Sequence, residues 1–456
     1  MTVTEDRPVY KWVGTRPIRH DGYDKVVGKA RFAADLNLPG QLHGVFLRSP
    51  HGHARIVSID TSAAEAMPGV KAVVTGDDFP ALAAGHPERD VAINLMARGV
   101  VLYVGHALAA VAASTRAEAE AAAAAIEVEY DLLPVILSLD DSMADGAPLV
   151  NEDNRTAFSG SDEPSNLATV TPLERGDVDA AFEAADLVIE REFETSWVHQ
   201  GYIEPHACVV DVGADGKADI WASSQGHFRV RSQTAAVLGW DTARIKVTPA
   251  EIGGGFGGKT TVYLEPVALI LSRKAGKPVK MVMGRDEVFT STGPTSAAVV
   301  RAKVGAKRDG TITAAEGWMA YDAGAFPGSP LMPGVMTMFT PYDLENVNVV
   351  GFDVVVNRSK AGAYRAPGAP QSEFAAEMVI NELAETLGMD PIDMRLKNAA
   401  KEGTQTIYGP RLKRVGLVEC LESIRDSEHY QSAIAEGHGR GVAAGFWFNI
   451  GLKSAA

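Results

Sequence analysis

Cysteine is nearly absent from this 456-residue chain, with Cys208 and Cys420 the whole supply. Two cysteines cannot build an iron–sulfur cluster or a disulfide scaffold by themselves, and the usage fits a reducing cytoplasm as the expected compartment. Long apolar runs are missing too. None approaches the roughly 18 to 20 residues that a membrane span requires. Met1 to Arg7 is acidic and polar, with no basic flank before an apolar core, so no signal peptide is visible. Positive charge is in deficit: 43 Lys plus Arg face 58 Asp plus Glu, a net charge of −15. That balance favours solubility and argues against non-specific nucleic-acid binding.

What is present is an ordinary globular composition, 46% hydrophobic and 22% charged, on a chain long enough for two or three cores. Residues 1–16 show no period and read as a loose arm. Thr115 to Ala125 reads as a helix, a threonine cap followed by strong helix formers. Ile126 to Tyr130 alternates apolar and charged, as a strand does. Residues 135–175 are rich in Asp, Ser, Asn, Gly and Pro and read as a linker crossing the surface. Beyond it, Ala218–Ser223 and Arg244–Thr248 read as strands and Glu265–Lys274 as a helix. Ser372–Leu387 is an amphipathic helix with Phe374, Met378, Leu383 and Leu387 on one face and Gly388 as its stop. A helix is expected around Leu417 to Asp426. An apolar strand-like run follows at Gly441 to Gly451, and it requires neighbours to pair with.

The most informative stretch is Glu251 to Thr260, EIGGGFGGKT. Five glycines around Phe256 let the backbone approach an anion and aim several N–H groups at it. A strand precedes and a helix follows, so the helix N-terminus is expected to add its dipole. Gly253 to Thr260 fits the P-loop pattern GxxxxGK[ST], and Gly253, Gly255 and Gly258 fit GxGxxG. Context opposes both. The preceding strand alternates charged and apolar, whereas P-loop strands are continuously apolar. Asp286 lies too far on for a dinucleotide site. A nucleotide hydrolase stays as the alternative reading.

A third reading covers nearly the whole chain. GGGFGGK, together with Ser224-Gln-Gly-His-Phe-Arg229 and Gly362-Ala-Tyr-Arg-Ala-Pro-Gly-Ala-Pro-Gln371, resembles the three cofactor loops of the xanthine dehydrogenase / aldehyde oxidase / carbon monoxide dehydrogenase family. Arg48-Ser-Pro-His-Gly-His-Ala-Arg-Ile56, Tyr103-Val-Gly-His106, Glu204-Pro-His206 and Met389 to Asn398 agree in order. The resemblance implies an α+β fold: an arm at 1–16, an α/β hammerhead domain at 17–137, a linker at 138–175, a first molybdopterin-binding domain at 176–405, and an incomplete second one at 406–456. It implies a molybdenum–molybdopterin cofactor, in its cytosine dinucleotide form, held by Gln225, Gly226, Gly254, Gly255, Phe256, Gly257 and Arg365. Gln225 is expected to support the metal's oxo group, because its amide NH₂ donates without adding charge. No protein residue is nominated as a metal ligand.

The activity implied is hydroxylation of an aldehyde or N-heteroaromatic carbon with water as oxygen source. Electrons leave through 2Fe–2S clusters to FAD, carried on a small and a medium partner subunit. The catalytic glutamate of the family lies in the C-terminal half of the large subunit, and no glutamate here occupies its motif. That half is therefore an expected partner if separately encoded, and the chain alone is expected to be inactive. A non-catalytic remnant that binds partner subunits is a further alternative.

Three positions narrow the expected substrate. Purine hydroxylases of the family place a glutamate where Thr260 stands and an aromatic where Pro367 stands, and carbon monoxide dehydrogenases place a copper-binding cysteine where Ala366 stands. His51 and His53 lack the Cys, Asp or Glu that would complete a metal set, and His106 and His206 read as packed histidines.

Overall fold

The computed structural model describes residues 10–448. The helix after Thr115 forms at Arg116–Ala124 for the reason its sequence gives. Thr115 Oγ1 accepts the Glu118 amide at 3.2 Å and the Glu118 carboxylate accepts the Thr115 amide at 2.9 Å, closing a capping box. Its buried Ala119, Ala122 and Ala123 let it lie close against Val73, Ala109 and Val111.

The strands of the first region are β1 (Leu42–Arg48), β2 (Ala54–Asp60), β3 (Val70–Thr75), β4 (Val100–Val101), β5 (Ala107–Ala113) and β6 (Glu127–Leu132). Then come β7 (Leu167–Arg175), β8 (Leu187–Thr195), β9 (Ala207–Val212), β10 (Ala218–Ala222), β11 (Ile245–Pro249) and β12 (Val279–Val282). The last are β13 (Ala298–Ala306), β14 (Ile312–Asp322) and β15 (Val347–Val354). They form a seven-stranded sheet ordered β11-β10-β9-β12-β1-β5-β3, a five-stranded sheet ordered β7-β15-β14-β13-β8, and a three-stranded sheet ordered β4-β2-β6.

The larger sheet crosses between the two regions. Leu42, His43 and Gly44 of β1 pair in parallel with Val279, Lys280 and Met281 of β12. β5 is buried along its whole length, which explains its unbroken apolar text. One core lies between this sheet and the helices His227–Leu238 and Glu265–Ala275; a second lies between the five-stranded sheet and helix Ala369–Leu387.

Four expectations need correction. Residues 138–175 are more than a surface crossing: they include helix Leu139–Met143 and β7, which pairs along β15, and they bury Val150, Asn154 and Asn166. Their polar side chains satisfy backbone groups, as Asn166 does for Val150 N at 3.0 Å. In helix Ala369–Leu387 the buried stripe is Ala375, Ala376, Val379, Ile380, Leu383 and Ala384, while Phe374 and Met378 are half exposed. Phe374 meets Phe193 edge-on at 5.5 Å instead. The helix Glu265–Ala275 does not offer its N-terminus to the glycine loop, because Glu265 turns back and accepts the Tyr263 and Leu264 amides at 3.2 Å. Finally, 441–448 is not a strand. The Ala444 amide donates to Glu377 Oε2 at 2.6 Å and the Phe446 amide to Glu373 Oε1 at 2.9 Å, so carboxylates of the long helix take donors that a ladder would otherwise use. Residues 449–451 of that expected strand lie outside the described residues.

Candidate functional site

The three loops singled out in the sequence converge. Gln225 stands between strand β10 and helix His227–Leu238. Its amide N–H donates to Lys259 O at 2.9 Å, and its side-chain Oε1 accepts the amides of Gly257 at 2.8 Å and Lys259 at 3.3 Å. Two N–H groups facing one end of the side chain fix that end as oxygen. The NH₂ end is therefore turned away from the loop, and it makes no hydrogen bond among the described residues. The third loop joins through the Arg365 amide, which donates to Phe256 O at 2.9 Å.

Close approach explains two of the glycines. A Cβ on Gly257, which has φ +107°, would sit 2.4 Å from Ala363 O, and one on Gly255 would sit 2.5 Å from Gln225 Oε1. Among the described residues only Phe158, Phe256 and Ala366 are non-glycine residues with positive φ, and two of these three belong to the converging loops. Strain of this kind, about 1–3 kcal/mol each, persists where surrounding structure over-determines the backbone.

Beneath the loops lies a buried ion pair. Lys259 Nζ is 2.7 Å from Glu204 Oε2 with its side chain fully shielded from solvent, and it lies 4.8 Å from the centre of the Tyr202 ring. The same Glu204 oxygen accepts Gly253 N at 2.8 Å and Ser223 Oγ at 2.9 Å. Burial pulls the Lys259 pKa below its ordinary value, with Glu204 opposing. A lysine so held cannot reach a nucleotide phosphate, which removes the functional part of the P-loop match.

Gln200 splints the third loop from below. Its Nε2 donates to Gly293 O at 2.9 Å and to Ala363 O at 2.8 Å. Sequence reasoning missed Gln200, and missed Glu204 except as part of a signature. A lone carboxylate inside the otherwise apolar Tyr202-Ile203-Glu204-Pro205 was the available signal; Gln200 carried none.

Thr260 Oγ1 donates to Gly257 O at 2.8 Å, so its hydroxyl serves the loop. Phe256 and Arg365 are exposed, and Gly226, Ala366 and Pro367 are partly so. Away from the loops, His106 is fully buried, with Nε2 2.8 Å from Ile93 O, and burial pushes its pKa down to about 4. His206 lies 2.7 Å from the Tyr202 hydroxyl, and burial, then the Lys259 charge, hold it well below the ordinary imidazole range. His53 Nδ1 lies 2.7 Å from Pro134 O. These three are packed side chains.

The arrangement fits a large anionic cofactor with a neutral acceptor group. Helices His227–Leu238 and Ala369–Leu387 both begin at glycines, with no side-chain cap, directly after two of the loops. Among the described residues the first N–H groups of His227–Leu238 have no acceptor and are free for an anion. In Ala369–Leu387, by contrast, the Ala369 amide donates to Ala366 O at 3.2 Å and Pro370 carries no N–H. His227 Nε2, Gln200 Oε1 and Glu204 Oε1 are buried without partners among the described residues, a set of unsatisfied polar atoms around the loops that calls for a ligand or ordered water.

The sequence matches the molybdopterin cofactor-binding domain over residues 160–399 and the aldehyde oxidase and xanthine dehydrogenase a/b hammerhead domain over residues 27–134. It is 34% identical to the nicotinate dehydrogenase large molybdopterin subunit of Eubacterium barkeri, over 91% of this chain and 96% of that one. It is 30% identical to the nicotine 6-hydroxylase large subunit of Paenarthrobacter nicotinovorans, over 97% of this chain but 55% of that one. Quinoline 2-oxidoreductase from Pseudomonas putida 86 superposes with a TM-score of 0.81 at 27% identity, over 91% of this chain and 54% of that chain. The chain thus spans about half the length of the longer relatives. It belongs to the molybdopterin-binding large subunits of the xanthine dehydrogenase / aldehyde oxidase family. It is a subunit of a molybdopterin-dependent oxidoreductase. No helix among the described residues is long and apolar enough to cross a membrane.

Proposed function

We propose that this chain supplies three cofactor loops to a cytoplasmic molybdenum hydroxylase acting on an aldehyde or an N-heteroaromatic carbon. The observation that carries the reading is the convergence at Gln225, where Oε1 is fixed by Gly257 and the NH₂ is left over. The backbone of Gly226, Gly254, Gly255, Phe256, Gly257 and Arg365 would hold a molybdopterin cytosine dinucleotide. When bound, the cofactor supplies the two-electron oxidation, with water as the oxygen source and electrons passing to 2Fe–2S and FAD groups on partner subunits. Gln225 donates a neutral hydrogen bond, Phe256 screens the site from water, and the Glu204–Lys259 pair keeps the loop in register. The general base would come from the second half of the fold that the longer relatives carry. Thr260, Ala366 and Pro367 line the substrate side and lack the groups that purines and carbon monoxide require.

The test is to purify the chain with its native partners, measure molybdenum, and identify the nucleotide released by acid. Molybdenum with a cytosine nucleotide, and turnover of an aldehyde or N-heteroaromatic, are expected. A complex without molybdenum or pterin that binds ATP would overturn the reading.

A further inference from the structure

The N-terminal arm is sparsely tied to the rest of the described chain. Residues 10–29 expose Tyr10, Trp12, Val13, Ile18, Tyr23, Val26 and Val27, with Ile18 at 92% and Val26 at 83%. Scattered exposed apolar residues are normal, but seven within eighteen consecutive residues are a concentration of the kind that marks interaction surfaces. Among the described residues, one side-chain hydrogen bond or ion pair ties this segment to the body: Lys25 to Glu251, the first residue of the glycine loop stretch. Just beyond, the Glu251 amide donates to Arg31 O at 3.1 Å and the Phe32 ring lies against Gly253.

The arm also differs in charge from the rest. Residues 10–31 carry Lys11, Arg16, Arg19, Lys25, Lys29 and Arg31 against Asp21 and Asp24, a net +4 in a chain of net −15, which leaves −19 elsewhere. Near the point where the arm meets the loop, the Gly253 amide donates to Glu204, and Ile203, next to Glu204 in the chain, is 89% exposed. Phe256 and the free end of Gln225 lie on the same loop system.

We infer that residues 10–29 are a docking strap for the second half of the fold, the portion that longer relatives carry beyond the region matched here. The inference rests on the functional reading above and adds the surface through which that half is held. Three observations select this occupant. The segment is rooted at Glu251, at the edge of the loops on which Gln225 and Phe256 are exposed. The longer relatives retain nearly half their length beyond the matched 55% and 54%, and that length must meet this region to close the site. Arg19 and Lys25 are paired with Asp21 and Glu251, but Lys11, Arg16, Lys29 and Arg31 have no carboxylate partner among the described residues. They favour an apolar partner face rimmed by carboxylates, since electrostatic complementarity fixes register and suppresses wrong partners.

The test is site-specific photo-crosslinking in the complex purified from cells, with a benzophenone side chain placed at Ile18 or, separately, at Val26. Crosslinked peptides from both positions are expected to match the second half of the longer relatives, joined covalently or as a separate polypeptide. Charge reversal by Lys11→Glu with Arg16→Glu is expected to lower that crosslink yield several-fold, and an unchanged yield would remove the electrostatic part of the inference. Crosslinks only to a second copy of this chain, to a flavin or iron–sulfur subunit, or to nothing at all would overturn it. Molybdenum is measured on the same complex. Its absence sinks the functional reading, whereas its presence with misplaced crosslinks sinks the strap alone.

Discussion

Gln225 Oε1 accepts the Gly257 amide at 2.8 Å, and this contact orients the side chain as well as tying two loops. With the oxygen engaged, the NH₂ group is the only part left to face a cofactor. Gln225→Ala therefore removes a neutral donor while the backbone bond from Gln225 N to Lys259 O remains. In the complete enzyme, turnover is expected to fall on the order of 10²-fold or more, at unchanged molybdenum content and a melting temperature close to that of the native protein. Normal turnover would take Gln225 off the list of functional residues.

Lys259→Met leaves Glu204 buried without its cation. Removing one partner of such a pair costs about 3–5 kcal/mol, so the midpoint of urea unfolding should drop sharply. Calorimetry on the native chain should show no Mg²⁺-dependent ATP binding, because the lysine is held by Glu204 and covered by Tyr202. Micromolar ATP affinity abolished by the same substitution would restore the P-loop reading.

Gly257→Ala would place a methyl group 2.4 Å from Ala363 O at a φ of +107°. The second and third loops must then separate, and cofactor occupancy is expected to fall. Gly276→Ala is the control, since at φ +61° nothing lies within 4 Å of its Cβ. It should cost only about 1–2 kcal/mol and leave molybdenum content intact.

Glu373 gives a pH dependence. Burial pushes its pKa up to about 8, Glu377 adds to the shift, and the Phe446 amide opposes it. The folded chain holds a proton that the unfolded chain releases, so this group's contribution to stability is complete below the ordinary carboxylate pKa. It declines as the pH rises from there to about 8. Glu373→Gln keeps an acceptor for the Phe446 amide and loses the titration. The melting-temperature difference between native and variant chains should change steadily across that window; a constant difference would show that Glu373 titrates normally.

Thr260, Ala366 and Pro367 predict that a complete assembly turns over xanthine and carbon monoxide poorly. A substrate panel that includes aldehydes and N-heteroaromatics measures this, and efficient xanthine oxidation would show that the three positions do not set specificity.

The parts legible in the sequence were those whose causes are local. Thr115 and Glu118 announce their helix because cap and partner lie three residues apart. The loops around Gln225, Phe256 and Arg365 were legible as motifs, since each is a short contiguous signature. Contacts between distant residues were hidden. Nothing near Gly441 indicates that the amides after it will meet Glu373 and Glu377, so an apolar run read as a strand. Gln200 looks like any loop glutamine until Gly293 and Ala363 are brought to it.

The parallel seam between Leu42–Gly44 and Val279–Met281 separates the unit of inheritance from the unit of folding. Two family domains end and begin between residues 134 and 160, yet the sheet disregards that border. Expressed alone, either segment would present a raw hydrogen-bonding edge where its neighbour belongs. A protease nick in the exposed turn at Phe158 should therefore leave two pieces that travel together in native conditions and part only in denaturant. Transplanting the first domain onto another large subunit requires a matching β12 in the recipient, since that strand is the surface on which it forms.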